Sequence, residues 1–267
     1  MGHPQGIYHS GQVTLLKRFQ QGLYFQAGYT WSKSIDNVSG SMSTDELNAT
    51  RAGQAGANIL NNFPGGNRAI GDFDRPHRFV VSFSYDVPVP KADFFNNQFF
   101  KGWSIGGIVT YQSGLPFSVV DSTSGGAFGN TGGGTASLSG QCTSPSQFYT
   151  TGPIGSRLNA YLNLNCFTTA PNVPNSAGAG ATAYGNAPRN WFRGPTQQNW
   201  DFSVTKNFTF MEHHSFQFRT EFFNLWNHPV FRFPSVVNIA TPTTFGRITE
   251  TAVPARLIQF SLKYSFR

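Results

Sequence analysis

The sequence predicts an all-β protein, an antiparallel transmembrane β-barrel segment that forms an incomplete barrel. Seven segments alternate apolar with mostly polar residues, their connections alternate in length, and charged residues are scarce. The C-terminal segment shows the pattern best, because apolar side chains occupy every second position from Ile258 to Phe266. Period-2 alternation defines a half-buried strand. About ten residues ending in aromatics is the length expected of a strand that crosses an outer membrane.

The other six strands follow in chain order. A weak strand near the start sets Val13 and Leu15 against polar neighbours, and the second begins at Leu23. The next four are centred on residues 78–87, 103–112, 200–210 and 215–222. In each of the stronger strands the apolar face begins or ends in an aromatic residue, which is typical of a strand with aromatic girdles at the membrane interface.

The alternation divides the side chains between two surfaces. We expect the apolar set to face lipid: Phe25, Phe83, Phe202, Phe218, Phe260 and Leu262. We expect the polar set to face the lumen: Asp201, Ser203, Gln217, Arg219, Glu221 and Ser261. Two roles stay open for Arg219 and Glu221, contact with a solute or membership of a charge network that satisfies polar groups inside the wall.

The connections between the strands are of two kinds. Residues 20–22 and 211–214 make short turns and residues 88–102 a medium one, whereas residues 33–76, 113–199 and 227–255 make long loops. Short periplasmic turns and long extracellular loops are the asymmetry of outer-membrane barrels. In a compact soluble domain, structureless loops of this length count against a strand assignment. Residues 1–267 are therefore expected to be one portion of a barrel domain in the bacterial outer membrane.

Composition and charge agree with this interpretation. Charged residues make up 12% of the chain, and aromatic residues 15%, whereas a soluble domain carries about a quarter charged residues. The net charge of +7 comes from Lys and Arg that are scattered rather than clustered as nucleic-acid binding requires. We therefore expect no nucleic acid among the partners. The scattered charges are expected to meet anionic lipopolysaccharide and outer-membrane lipid, or to line a pore.

Three short motifs suggest chemistry but lack the context that the chemistry needs. Residues 102–106 fit the nucleophile elbow, but Ser104 lies inside an alternating strand with no helix after it. His213 and His214 are adjacent on a turn without a third metal ligand nearby in sequence. The glycine-rich residues 125–134 lack the Lys-Ser/Thr pair of a phosphate-binding loop. No catalytic, cofactor-binding or metal-binding residue is predicted, and we expect no enzyme.

The long loop of residues 113–199 contains both cysteines of the chain, Cys142 and Cys166. An exported chain reaches an oxidising compartment, where such a pair usually forms a disulfide; the alternative is two unpaired thiols in a cytosolic protein. The loop is also rich in aromatic residues, which either form a ligand platform or pack into a small core of their own. These residues are Phe148, Tyr149, Tyr161, Phe167, Tyr184, Trp191 and Phe192.

Six runs of the sequence resemble the last part of the barrel of TonB-dependent, Oar-like outer-membrane receptors of the acidobacterial type. They are LLKRF at residues 15–19, QAGYTWSKSID at 26–36, DFDRPHRF at 72–79, GWSIGGIVTYQSGLPF at 102–117, FRTEFFNLWNHP at 218–229 and FGRIT at 245–249. The resemblance covers nearly the whole chain in the right order. It implies a barrel of about twenty-two strands with an N-terminal plug, a carboxypeptidase-regulatory-like domain and uptake powered through TonB.

The start of the sequence lacks the features of a signal peptide, and seven strands is an odd count where single-chain bacterial barrels have even counts. We therefore expect the C-terminal part of a longer polypeptide, completed by N-terminal strands and a plug, that does not form a functional pore alone. The expected function is ligand capture by the extracellular loops and uptake through the lumen, with an unknown ligand and the TonB system as partners. The alternatives are a structural or adhesive outer-membrane barrel and a secreted soluble β-sandwich.

Overall fold

A computed structural model describes residues 6–20, 22–36, 68–90, 94, 97–124, 134–174, 180–183, 185–210 and 214–266. Seven long strands pair in chain order, each antiparallel to the next, so the sheet is a simple meander. They are β1 (Gly6–Gln20), β2 (Leu23–Asp36), β3 (His77–Asp86), β4 (Trp103–Gln112), β5 (Gln197–Phe210), β6 (His214–Phe223) and β7 (Leu257–Phe266). The seven predicted strands and the all-β, antiparallel fold class are confirmed.

The first two strands are longer than their sequence pattern indicates. β1 begins at Gly6 and β2 continues to Asp36, where Gly6 lies directly opposite it. The short strand Ala69–Ile70 then adds to the far end of β2. Polar and small residues dominate these extensions, so the sequence shows little hydrophobic alternation there. The extensions are strands because their backbone groups form hydrogen bonds with a neighbouring strand.

The sheet is open. Its order runs from β1 to β7, and in the described residues these two outer strands do not pair with each other. Every residue of β7 is exposed. The described ends of the connections 37–76, 113–196 and 224–256 lie at one end of the meander, called here the long-loop end. The shorter connections meet at the other, the short-turn end. The arrangement is that of an incomplete barrel.

The hydrophobic core lies in the long loops and not in the sheet. The described parts of residues 113–196 and 224–256 pack together into one unit, called here the loop subdomain. Its buried core contains Phe117, Val119, Val120, Ala136, Phe148, Leu162, Cys166, Phe167, Phe192, Val237, Ile239 and Phe245. Of the two roles left open for the loop aromatics, Phe148, Phe167 and Phe192 therefore form a core of their own. Tyr184 lies outside the described residues.

Short elements and a disulfide organise the loop subdomain. Four small antiparallel pairs join Pro116–Phe117 to Phe192–Arg193, Val120–Asp121 to Gly134–Thr135, Ser137–Leu138 to Phe167–Thr168, and Asn172–Pro174 to Gly180–Thr182. The helical elements are the 3-10 turns Pro145–Phe148 and Leu164–Cys166 and the α-helix Ile154–Asn159. A disulfide joins Cys142 to Cys166, with their Cα atoms 5.3 Å apart. Within the described part of the chain, no helix has the length and apolar character needed to cross a bilayer.

Candidate functional site

The polar face of the sheet is concave and borders an open cavity of about 410 Å³. The strand registers put every second residue of the central strands on this face. The polar residues that line it come from β2 to β6: Tyr24, Ser82, Ser84, Ser104, Asp201, Ser203, Thr205, Arg219 and Glu221. Apolar residues and glycines also border the space: Phe83, Ile105, Gly106, Gly107, Ile108, Phe202, Phe222 and Phe223. Small hydroxyl side chains dominate the middle strands, which leaves the space open, while the charged side chains come from β5 and β6.

Arg219 and Glu221 form the charged centre of this surface. Arg219 Nη2 lies 2.6 Å from Glu221 Oε1. Ser203 is directly opposite Glu221 on β5, and Ser261 is directly opposite Arg219 on β7. Because the Arg219 side chain is 47% exposed, its ion pair adds under about 1 kcal/mol to stability. Donors of the guanidinium remain accessible from the cavity, so this pair fits both roles that the sequence left open.

The other two predicted lumen residues share the polar face but lie away from its centre. Asp201, near the long-loop end, accepts hydrogen bonds from Asn199 Nδ2 at 2.9 Å and from the backbone N–H of Asn224 at 3.0 Å. Gln217, near the short-turn end, donates to Asn207 Oδ1 at 3.0 Å. The six residues therefore form a polar track along the sheet, with one charged centre.

The opposite face is apolar and holds all six side chains that the sequence assigns to lipid. Phe25 lies directly opposite Phe83, and Phe218 directly opposite Leu262. The Phe83 and Phe202 rings are 6.5 Å apart, across Gly107, whose missing side chain makes room for the Phe83 ring. The Phe218 and Phe260 rings stack at 6.2 Å. The registers thus put the two predicted sets on opposite faces of one sheet.

Aromatic residues with polar tips lie toward the two ends of the apolar face. Tyr29, Trp31, Tyr111 and Trp200 lie toward the long-loop end, and Tyr85, Trp103, His214 and Tyr264 toward the short-turn end. Mostly apolar side chains fill the middle, where Thr220 is a polar exception on β6. Two belts of amphipathic rings around an apolar band are the pattern of membrane-spanning barrel walls.

Five charged residues connect the loop subdomain to the sheet, and we call them the Asp-Arg clasp: Asp36, Asp72, Asp74, Arg189 and Arg193. Arg189 Nη2 lies 2.5 Å from Asp36 Oδ1, and its Nη1 lies 3.6 Å from Asp72 Oδ1. Arg193 pairs with Asp74, whose side chain is fully buried. The clasp joins the end of β2 and the segment before β3 to the last part of the long loop.

Backbone and amide groups support the clasp. Asn190 has a left-handed backbone, with φ of 57°, and its Nδ2 donates to Asp72 Oδ1 at 2.6 Å and to the Ile70 carbonyl at 2.9 Å. Arg75 donates to the Ser113 carbonyl at 2.7 Å and to Gln197 Oε1 at 3.0 Å. The entrance and the exit of the longest loop are thereby held against the same segment.

The clasp was not predicted from the sequence, although two of its three aspartates, Asp72 and Asp74, belong to the DFDRPHRF run and the third, Asp36, ends the QAGYTWSKSID run. The scattered charges that were expected to meet lipopolysaccharide or line a pore include Arg189 and Arg193, whereas the structure commits both to internal carboxylates. The partners are more than 100 residues apart in sequence for each of the pairs Arg189–Asp36, Arg189–Asp72 and Arg193–Asp74. The only signal for them was the alternation of Asp72 and Asp74 within an otherwise loop-like segment.

Two tyrosines link the clasp to the core of the loop subdomain. The Tyr161 hydroxyl donates to the Arg193 carbonyl at 3.0 Å, and the Tyr149 hydroxyl accepts from the Arg193 backbone N–H at 3.1 Å. Burial raises the pKa of both hydroxyls above the usual tyrosine range. Both hydroxyls therefore keep their protons to a higher pH than an exposed tyrosine does.

The residues of the three short motifs do not lie in the structural contexts that catalysis, metal binding or phosphate binding would need. Ser104 lies within β4 on the polar face, and the chain continues as strand after it. His214 Nδ1 lies 2.7 Å from the Tyr264 hydroxyl, while His213 and residues 125–133 lie outside the described residues. Among the residues that the structure describes, no group of His, Cys, Asp and Glu is arranged to hold a metal ion.

The open antiparallel meander, with one apolar face belted by aromatics, one polar face and long loops at a single end, defines the class as the wall of an outer-membrane β-barrel. The chain belongs to the outer membrane beta barrel domain family, whose family model matches residues 3–259. This membership places the protein in the bacterial outer membrane. A comparison with curated proteins gave no match.

Proposed function

We propose that this chain is part of the barrel wall of a TonB-dependent, Oar-like receptor that captures a ligand at its extracellular loops and passes it through the lumen. The observation that carries the proposal is the concave polar face, next to which a folded loop subdomain is fixed by buried ion pairs. A polar track next to a folded loop unit suits the capture and passage of a polar solute. The resemblance of the six sequence runs supports the TonB-dependent class. No enzymatic role is part of the proposal.

In this proposal the apolar face contacts lipid and the long-loop end is extracellular. Trp200 and Phe210 are ten residues apart on β5, which corresponds to about 34 Å of strand at ~3.4 Å per residue. A strand tilt of about 40° shortens this to about 26 Å across the membrane, close to the ~25 Å apolar band of outer-membrane barrels. Charged side chains on the exposed loops then meet lipopolysaccharide.

The open edges imply further strands in the working receptor. β1 and β7 each present a row of backbone groups that pair with no strand among the described residues. In hydrocarbon each unsatisfied group costs several kcal/mol, so only closed barrels are viable sheets there. N-terminal strands and a plug are the partners that close and fill the barrel, and the TonB system then acts through that plug.

The test is uptake by cells that carry or lack the gene. Depletion of organic solutes from a complex medium is followed by mass spectrometry, with and without a protonophore. Faster depletion of particular solutes, abolished by the protonophore and by loss of TonB, is the expected result. Uptake that is indifferent to TonB would overturn the energy-coupled mechanism. Equal uptake in both strains, with altered cell adhesion, would favour the structural or adhesive alternative.

A further inference from the structure

A lysine interrupts the apolar face of β5. Lys206 occupies the alternation that also places Phe202, Val204 and Phe208 on that face, yet only 2% of it is exposed. A cation on a lipid-facing surface is unfavourable, most strongly at the bilayer midplane and less toward the interfaces. Lys206 lies near the short-turn end, opposite Trp103.

Part of the connection between β3 and β4 covers this lysine. Phe94 and residues 97–101 lie against the apolar side of the wall, and we call them the shelf. Lys206 Nζ donates to the carbonyls of Gln98 at 2.5 Å and Phe99 at 3.1 Å, and also to that of Lys101. Its ammonium lies 5.0 Å from the centre of the Trp103 ring and 4.8 Å from that of Phe208. Carbonyls and ring faces thus replace water around the charge.

Local hydrogen bonds give the shelf its shape. The Asn97 side chain donates to the Phe94 carbonyl at 3.1 Å and accepts from the Phe99 backbone N–H at 2.9 Å, an asparagine-based turn. Trp103 Nε1 donates to the Phe99 carbonyl at 2.9 Å. Gly102 then returns the chain to β4 with φ of 73°, where a side chain would meet the Asn207 carbonyl at 2.5 Å.

The outer surface of the shelf is aromatic. Phe94 is 71% exposed and Phe99 70% exposed, and both rings pack against Phe100, with centroids 5.6 and 5.2 Å away. This surface continues the apolar face of the sheet, just outside its short-turn belt of aromatics. Aromatic side chains at that depth are favoured at a membrane interface.

We propose that the shelf is a lipid-binding element that inserts Phe94 and Phe99 into the periplasmic leaflet, with Lys206 as the cation that fastens it to the wall. The inference rests on the lipid-facing assignment within the proposed function. The shelf carbonyls shield the lysine from hydrocarbon, and the lysine in turn fixes the carbonyls of Gln98, Phe99 and Lys101. The occupant is phospholipid, because the surface is apolar, aromatic and continuous with the band that faces lipid.

Spin-label accessibility tests this in the protein isolated from outer membranes and reconstituted in phosphatidylethanolamine and phosphatidylglycerol vesicles. Labels are placed by Phe94→Cys on the shelf, Phe202→Cys on the middle of the apolar face and Ser104→Cys on the polar face. We expect oxygen, which concentrates in lipid, to relax the labels at positions 94 and 202, and a water-soluble nickel chelate to relax the label at 104. A second set carries Lys206→Met, which should mobilise the label at 94 and leave the label at 202 unchanged.

The outcomes separate the two proposals. A label at 94 that meets only the nickel chelate, while the label at 202 meets oxygen, overturns the shelf and leaves the barrel assignment intact. Nickel access at both 94 and 202 overturns the lipid-facing assignment itself. Unchanged mobility at 94 in the Lys206→Met protein overturns the fastening role. If that variant does not assemble, the Phe94→Cys label alone still decides whether the shelf meets lipid.

Discussion

At the scale of single residues, burial decides how much an ion pair contributes to stability. Asp74 is fully buried and pairs with Arg193, while its Oδ1 also accepts from the Ser34 backbone N–H at 2.5 Å. Glu221 pairs with Arg219 in a site where solvent reaches both partners. Removing one partner of a buried pair costs about 3–5 kcal/mol, whereas an exposed pair is worth under about 1 kcal/mol.

We therefore expect Asp74→Ala to loosen the attachment of the loop subdomain and Glu221→Gln to leave it intact. The first change leaves Arg193 without its carboxylate, and a cost of about 3 kcal/mol raises the open population on the order of 100-fold. Limited proteolysis of the loops on whole cells measures this population. Similar cleavage rates for the two variants would contradict the assignment of Asp74 to a buried clasp.

Two strand glycines, Gly107 on the apolar face and Gly28 on the polar face, differ in the space around them. A Cβ on Gly107 would lie 2.9 Å from both the Phe83 ring and the Asp201 carbonyl, while a Cβ on Gly28 would meet nothing within 4 Å. We expect Gly107→Ala to cost about 1–3 kcal/mol through overpacking and to lower the yield of folded barrel. Gly28→Ala is the matched control and should assemble normally. The folded fraction is read from heat-modifiable mobility on gels, and equal yields would show that the Phe83 ring moves freely.

At the scale of elements, the strands carry a sidedness that the registers make specific. Phe218 and Gln217 are neighbours on β6 but lie on opposite faces. Arginine on the lipid side near the membrane centre costs about 2–4 kcal/mol, so Phe218→Arg should impair assembly and Gln217→Arg should not. Spin-label accessibility along residues 215–223 should show a period of two residues. A profile without that period would remove the membrane-strand assignment.

The loop subdomain is a separate element whose stability involves a covalent bond. Cys142 and Cys166 are 24 residues apart, and closing such a loop contributes about 3 kcal/mol in the chain-entropy account. Mass spectrometry of unreduced peptides from intact outer membranes should find the two cysteines linked. Replacing both by Ser should increase proteolysis of the loops without changing the folded yield of the sheet. Two free thiols in the native protein would refute the prediction.

At the scale of the whole molecule, the sheet formed by the described residues has two open edges, which cannot close on each other by antiparallel pairing. β1 and β7 are the first and last strands of a seven-stranded meander, so they run in the same direction, and a seam between them would be parallel. Exposed edges tend to recruit other chains. Expressed with a signal peptide, residues 1–267 are expected to yield aggregates or oligomers and no conducting monomer. A heat-modifiable monomer with single-channel conductance would contradict this expectation.

The sequence by itself determined the strands and their two faces. Alternation is a local property, and hydrogen-bonded pairing of neighbours in chain order preserves it, so the alternation alone assigns Phe218 and Gln217 to opposite faces. The two cysteines were likewise a recognisable pair, since they lie in one loop. The ends of these strands were harder to predict, because Ile7 and Tyr8 in β1 and Ile35 in β2 stand among polar and small residues and form no continuous alternation.

Only the tertiary structure decided what the connections between the strands contact. The buried core of the loop subdomain, the Asp-Arg clasp and the contacts of Lys206 with the shelf all join residues that are distant in sequence. No periodic pattern of residue types marks them. Arg193 meets Asp74 across 119 residues, and Lys206 meets Gln98 across 108. Whether such a charge faces solvent, a partner charge or a carbonyl depends on how separate segments pack. The order of residues along the chain shows what each segment contains, but it does not show which segments contact each other.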